Sequence, residues 1–336
     1  MHTSGLTENK QQVPVMSASP GIKPQDGPSA GEGAAHGTPV HISLCVCTFK
    51  RPALLADLLD GLLHQTTDGQ FTYSIVVVDN DREASARETV ERFRREHPGV
   101  IEYFVEHEQN IAAARNRSVV NAVGELVGFI DDDEIPINDW LIRMLTALRR
   151  YKADGVLGPV KPRFAGTPPQ WAVNARVFER PGFETGSVIG WKHTGTGNVL
   201  IRRHVLDELA GPFRPQFGSG GEDLDFFRRA MEGGRVFVWC EEAIVYEIVP
   251  AERTRISFQL RRALLRGKVS LSHPSSGAFS ILKSLAACAV YTILLPVFLV
   301  LGWHVFVEYL IKDFDHIGKL LAVCRIDLVR EKYVVK

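Results

Sequence analysis

The chain predicts an α/β fold: a doubly wound, mixed sheet of Rossmann-like build, followed by a C-terminal helical segment associated with a membrane. Apolar runs of strand length alternate with segments of helical periodicity from residue 41 to about 268. Three of those runs stop abruptly at polar residues, Thr48, Asp79 and Asp131, and strand ends of that kind are where doubly wound sheets bind ligands. From residue 284 to 307 there is no Asp, Glu, Lys or Arg, a length of apolar chain that suits a bilayer.

The elements follow in order. Ile42, Leu44 and Val46 alternate with smaller residues up to Thr48, and Lys50, Arg51 and Pro52 open a helix. Leu54, Leu55, Leu58, Leu59, Leu62 and Leu63 fall on one face of it. A strand over 74–78 contains Ile75 and three successive valines, the composition of a buried parallel strand. A polar helix over 84–97, a strand over 101–105 and a helix after Asn110 lead to the strand that opens at Leu126. A further strand is expected over 156–160.

The strand at Leu126 ends in GFIDDDEIP, so a buried element delivers Asp131, Asp132, Asp133 and Glu134 to its own edge. Carboxylates crowded there resist ionising together unless a cation sits among them. In extended backbone Asp131 and Asp133 share a face and Asp132 turns away. All-oxygen donors suit Mg2+ or Mn2+ rather than zinc. The alternative is that these acids cap the helix starting at 138–140.

Composition sets the remaining bounds. Lys plus Arg and Asp plus Glu both number 39 and are interspersed, and no basic stripe points to a nucleic-acid partner. Cysteines number five, and Cys45 and Cys47 alternate within one strand, which fits reduced thiols in a reducing compartment. Residues 1–40 are rich in Gly, Pro, Ser and Ala and read as a disordered tail without a signal-peptide pattern. A domain over 41–268 and a C-terminal segment over 269–336 complete the organisation.

Absences narrow the site. The first strand is not followed by a glycine-rich dinucleotide or phosphate loop, and no nucleophile elbow is present. A nucleotide site of this kind holds its diphosphate by a metal and arginines, and Arg51 and Arg115 are placed to help.

The series CTFKRP, VVVDND, NIAAARN, GFIDDDE, GTGNVLIRR and GGEDLDFFRR, in that order and spacing, resembles the inverting family 2 glycosyltransferases of the GT-A fold. The likeness is strongest to the bacterial exopolysaccharide branch that includes the succinoglycan glucosyltransferases. It implies that Thr48, Arg51 and Asp79 frame the nucleoside, with Arg115, Asp131 and Asp132 also on the donor. Asp131 and Asp133 would be the Asp-x-Asp pair that sets Mn2+ or Mg2+ under the diphosphate. Where many relatives carry a histidine as an extra metal ligand, this chain has Glu247 in AIVYEIVP. Asp223 would be the base, and Glu222, Asn198 and Trp191 would contact the acceptor.

The second half supplies that acceptor side. The segment 161–191 is rich in Gly, Pro and aromatics and suits a mobile lid or acceptor loop. Trp171, Phe178, Phe183 and Trp191 would either stack on sugars or form a small core beneath the loop. Glycines 218, 220 and 221 precede Glu222 and Asp223 at a helix start. Inverting transfer is a single displacement, for which one carboxylate base suffices.

Arg253, Arg255, Arg261, Arg262, Arg266 and Lys268 form a basic stretch ahead of the apolar run. That asymmetry places the catalytic domain on the cytoplasmic face of a bacterial inner membrane. Pro296 would kink the run or mark a re-entrant hairpin, and a buried core helix is the soluble alternative. The arginines would meet anionic lipid or a polyprenyl-diphosphate-linked acceptor. The expected function is hexose transfer from a UDP-sugar to a saccharide or lipid-linked saccharide in surface glycan assembly. A sugar-nucleotidyltransferase and a non-catalytic sugar-binding or scaffold protein are the alternatives.

Overall fold

The structure, a computed structural model, describes residues 39–218, 220–271, 277–326 and 328–329. The tail expected over 1–40 therefore falls, up to residue 38, outside the described residues. The first half follows the expected alternation: β1 (Val40–Thr48), α1 (Pro52–Leu63), β2 (Phe71–Asp79), α2 (Arg87–Glu96), β3 (Ile101–Val105), α3 (Ile111–Asn121) and β4 (Leu126–Ile130). Next come β5 (Glu134–Pro136), α4 (Trp140–Arg150), β6 (Gly155–Leu157), β7 (Val160–Phe164) and α5 (Gln170–Asn174). They are followed by β8 (Asn198–Arg202), α6 (Arg203–Asp207), α7 (Glu222–Glu232), β9 (Phe237–Trp239) and β10 (Val245–Val249). Three long helices end the described chain: α8 (Ile256–Leu271), α9 (Ala278–Leu301) and α10 (Trp303–Val323).

A seven-stranded sheet runs in the order β3-β2-β1-β4-β8-β6-β9, and β5-β10-β7 form a smaller one. The strands β3, β2, β1 and β4 are parallel, whereas β8 is antiparallel to both its neighbours. The sheet is mixed, and its chain order reverses beside β1, which opens a crevice at the C-terminal ends of β1 and β4.

Burial explains the strand composition. Val77 packs into the core with Leu55, Leu58, Leu59 and Leu62 of α1, while Val76 and Val78 pack on the other face with Ala114 of α3. Both faces of β2 are covered, as a run of valines requires. Asn110 caps α3, its side-chain oxygen accepting from Ala112 N at 3.1 Å and Ala113 N at 3.2 Å.

Two expectations shift. The single strand expected over 156–160 is two strands in two sheets, separated by Gly158 and Pro159. Proline lacks a ladder N–H, and a side chain at Gly158 would collide with the Ala243 carbonyl and the Asn198 amide. The expected boundary at residue 268 falls inside α8, which is continuous through Leu271.

The helices α9 and α10 form an antiparallel hairpin, because their contacts nest from the tip outward: Phe298 on Tyr309, Thr292 on Asp313 and Ser280 on Lys319. The chain continues past Pro296 within α9 and reverses at Gly302, whose φ is 143°. Most of α9 is bare: Ile293 is 73% exposed and Val300 88%. The helix is long and apolar enough to cross a membrane by length and composition.

The helices α8 and α10 cross where Gly267 meets Gly318. A Cβ on Gly318 would fall on the backbone of Leu264, and one on Gly267 on the Asp315 carbonyl. Alanine gains about 1 kcal/mol over glycine in a helix, but backbone cannot yield as a side chain can, and overpacking costs about 1–3 kcal/mol. Gly318→Ala is therefore expected to lower the thermal midpoint of the detergent-solubilised protein, and a raised midpoint would contradict the crossing.

Candidate active site

The strands β1 and β4 are adjacent, and their C-terminal ends open on a cavity of about 830 Å3 that continues to α8 and α10. Thr48, Arg51, Arg115, Asp131, Asp132 and Asp133 line it from the first half of the chain. Trp191 and Glu247 join them from the second.

The acid triplet is not extended. Glu134 N donates to the Asp131 carbonyl at 3.1 Å and closes a turn, so the alternation that set Asp132 apart from Asp131 and Asp133 does not hold. The reason is topological: within these residues the chain must leave the large sheet and enter β5 of the small one. The turn brings a cation to each aspartate, with Arg51 shared between Asp132 and Asp133. Asp131 accepts from Arg115 Nη2 at 3.2 Å. Asp132 accepts from Thr48 Oγ1 at 2.8 Å and Arg51 Nη1 at 3.0 Å. Asp133 accepts from Arg51 Nη1 at 3.2 Å and Arg253 Nη2 at 2.7 Å. None of these contacts is a helix cap, and α4 has no side-chain cap bond.

Burial pushes the Asp132 carboxyl up to about 6 against the pull of Arg51. Burial also drives Glu134 well above the carboxylate range, and Asp131 adds to the rise. Its Oε2 accepts from Asp131 N at 3.1 Å, while Oε1 is buried without a partner among the described residues. Glu134 stands opposite Glu247 in the β5–β10 register, a pairing that repels when both are charged. Arg180 and Arg253 offset it, donating to Glu247 at 2.8 and 2.9 Å.

The donors expected for a metal, Asp131, Asp133 and Glu247, are hard carboxylates around one cavity, and the Asp131 side chain is 44% exposed. That chemistry suits Mg2+ or Mn2+. Among the described residues no three acidic, histidine or cysteine side chains group to hold a metal. The protein oxygens are a partial set of the kind that substrate phosphates complete around Mg2+.

Four expected site residues lie off the cavity lining. Asp79 is fully buried: Oδ1 accepts from Asp81 N at 3.0 Å, and Oδ2 accepts from Ala86 N at 2.8 Å and the Tyr103 hydroxyl at 2.9 Å. It orders the loop behind the crevice, and the neighbouring Asn80 reaches the wall instead. Asn198 accepts from the Trp140 indole at 2.8 Å and donates to the carbonyls of Pro159 and Ala243 at 3.0 and 2.8 Å. Its polar atoms tie elements of the two sheets together rather than meeting a ligand. Glu222 is buried against Arg115 Nη1, and its Oε2 has no partner among the described residues.

Asp223 stands in the first turn of α7, after Gly220 and Gly221 with φ of 127° and 89°. Only glycine adopts such angles freely, and they aim the start of the helix at the crevice, where Gly221 and Leu224 are on the lining. Its Oδ2 lies against Gly195, 3.6 Å from where a Cβ would be. Burial raises its pKa and Arg115 opposes the rise.

Of the aromatic residues in the 161–191 segment, Trp191 lines the cavity. Trp171 is in the core with Ala263, Val307 and Ile311 under the C-terminal helices. Phe178 packs on Phe164 and Phe183 on Trp239. Sequence reasoning missed Arg180 and Arg253 as partners of the acids. Arg253 was visible only as part of a basic stretch, and Arg180 gave no signal within its loop.

A parallel core with one reversed strand and an acidic turn at its switch point defines the GT-A class of glycosyltransferase fold. The family model described as "Glycosyl transferase family 2" matches residues 43–209. The chain is 36% identical over 232 residues to the succinoglycan biosynthesis protein ExoM of Rhizobium meliloti (strain 1021), across 68% of this chain and 74% of that protein. It is 23% identical over 205 residues to the glycosyltransferase AglE of Haloferax volcanii, across 60% of this chain and 65% of that one. Among solved structures it is similar to the mannosyltransferase PcManGT of Pyrobaculum calidifontis in complex with GDP-Man and Mn2+, with a TM-score of 0.56 at 19% identity over 87% of this chain and 88% of that chain. The protein belongs to glycosyl transferase family 2.

Arg115 joins Asp131 at the end of β4 to Glu222 at the start of α7. Removing one partner of a buried pair strands the other charge, at a cost of about 3–5 kcal/mol. Arg115→Met is expected to destabilise the protein by that order in urea unfolding, and adding Glu222→Gln should restore part of it. Additive losses in the double variant would show that the pair is not coupled.

Proposed function

We propose that the protein is an inverting, metal-assisted hexosyltransferase that uses a nucleotide sugar, most simply a UDP-sugar, as donor. Its acceptor is a saccharide or lipid-linked saccharide in exopolysaccharide or surface glycan assembly, at the cytoplasmic face of a bacterial inner membrane. The likeness to ExoM, whose name assigns it to succinoglycan biosynthesis, supports the pathway. The basic residues ahead of α9 support the orientation.

One observation carries the reading: Asp223 stands between Gly221 and Leu224 of the cavity lining, within electrostatic reach of Arg115 and Asp131. Asp131 and Asp133, with Glu247 behind them, would hold Mg2+ or Mn2+, which when bound offsets the charge of the leaving diphosphate. Arg51 and Arg115 present guanidinium groups to the same anion. Asp223 accepts the proton of the acceptor hydroxyl as that oxygen attacks the anomeric carbon in line, so configuration inverts in one displacement. The rise in its pKa makes it a stronger base than a solvated aspartate. Glu222 positions Arg115, and Trp191 offers a ring face to the acceptor sugar.

The reading is tested by turnover of a UDP-hexose panel on lipid-linked saccharide extracts, with the product anomer read by NMR. An α-linked donor is expected to give a β-linked product. Asp223→Asn is expected to lower kcat by about 10²-fold or more while UDP still binds. In the wild type, the acid limb of kcat/KM should fall above the ordinary aspartate value of about 3.9. Retained configuration, or wild-type kcat in Asp223→Asn, would contradict the mechanism.

A further inference from the structure

The 24 residues of α9 are enough to span a bilayer, yet the packing of its neighbour α10 fixes how it can lie. One side of α10 faces the body of the protein. Val307 and Ile311 are buried in a cluster with Trp171 and Ala172 of α5 and Ala263 of α8, and Phe314 packs on that cluster. Gly318 continues the stripe onto the backbone of Leu264 in α8. The other side of α10 faces α9: Tyr309 stacks on Phe298, Asp313 accepts from Thr292 Oγ1 at 3.0 Å, and His316 lies against Tyr291. Tyr309 and Asp313 each follow a body-facing residue, Val307 or Ile311, by two positions, roughly 200° around a helix of 3.6 residues per turn. The helix α10 is thus sandwiched, and α9 is the outermost layer, running along the domain rather than away from it.

Outward, Leu282, Ile293, Val297 and Val300 are exposed and fall on one stripe of α9. A helix that is apolar all round needs cover on every side, and α10 covers one. Lys283 and Trp303 stand exposed at its two ends, residue types that settle at a lipid interface. The aliphatic stripe between them has none of the hydrogen-bonding groups by which a protein interface sets its register. Lipid is the partner that fits, but not by a crossing. If α9 crossed a bilayer, α10 and the part of α8 behind it would cross beside it. The exposed pairs Glu308–Lys312 and Arg266–Asp315 would then lie in hydrocarbon, as would Asp313, whose Oδ1 has no partner among the described residues. Each is a costly placement at bilayer depth.

We propose that α9 is an in-plane membrane anchor: it enters one leaflet by its outward stripe, parallel to the bilayer, and the described chain stays on one side. The α9–α10 pair does jointly what a single interfacial amphipathic helix does alone, with aliphatic side chains outward on α9 and charged ones behind it on α10. Ser280 in the first turn of α9 and its donor Lys319 are on the lining of the active-site cavity, so the embedded helix starts where the cavity ends. A flat anchor holds that end of the cavity at the lipid surface, which suits an acceptor presented there. Only the acceptor's approach rests on the transferase reading, since the orientation follows from packing.

The test uses the full chain on vesicles of phosphatidylcholine and phosphatidylglycerol. Leu282→Cys, Ile293→Cys and Val300→Cys, each on a Cys288→Ser, Cys324→Ser background, are labelled with a nitroxide, and label depth is read by electron paramagnetic resonance against the unsubstituted background. All three labels should sit at one shallow depth, about 5–10 Å into the boundary of headgroups and acyl chains. A label at Ile293 near the bilayer centre, with those at Leu282 and Val300 at opposite interfaces, would overturn the flat orientation. In flotation, Ile293→Asp and Val300→Asp should each weaken vesicle binding by about tenfold, with UDP affinity and thermal midpoint unchanged, because both residues are exposed and off the cavity lining. Wild-type vesicle binding in both variants would overturn the anchor. So would spin–spin broadening at Ile293 without lipid contact, which would put a second copy of the chain on the stripe. Loss of UDP binding with three equal, shallow depths would sink the donor reading and leave the anchor standing.

Discussion

Four consecutive carboxylates at the end of a buried strand are the constraint on which the rest of this site depends. Left unpaired they would not remain charged at that depth. The fold answers by bringing cations from distant parts of the chain: Arg51 from the start of α1, Arg115 from α3 and Arg253 from beyond β10. Glu134 is buried with them, and burial raises its proton affinity well above that of a free glutamate. The compensation leaves Asp131 as the aspartate with the most exposed side chain, which is the property a cation and a diphosphate require.

Arg115 extends this balance to α7. By pairing with both Asp131 and Glu222 it fixes α7 against the end of β4, and so determines where Asp223 stands relative to the acid turn. Lysine could not do this, since a single ammonium lacks the divergent donors of a guanidinium. The interior of the cavity is consequently ordered by charge. A balanced acid–arginine region lies near β4, and on the helical side Arg266 of α8 pairs with Asp315 of α10.

Much of this was legible in the residues. Strands buried on both faces announce themselves as valine runs, the helix after Asn110 is where the sequence puts it, and the clustering of polar residues at strand ends located the crevice. The turn at Asp131 was not legible, because it follows from the need to change sheets, a long-range demand with no local sequence mark. For the same reason Gly158 and Pro159 looked like part of one strand. Asp79 and Asn198 misled in a common way. Each is a polar residue at a strand terminus, but their partners, the Ala86 amide and the Tyr103 hydroxyl for one and the Trp140 indole for the other, are folded in from elsewhere and consume their hydrogen-bonding capacity. Ion-pair partners separated by about a hundred residues, such as Arg253 and Asp133, carry no pattern at all in one sequence.

The central claim, that the acid turn is the cation-dependent seat of a nucleotide diphosphate, is tested most directly by calorimetric titration of UDP with and without Mn2+. Wild type should bind UDP markedly more tightly with the metal, and the Asp131→Asn, Asp133→Asn double variant should lose that enhancement while remaining folded. UDP binding that is indifferent to Mn2+ in both proteins, or a variant that keeps the full metal enhancement, would contradict it.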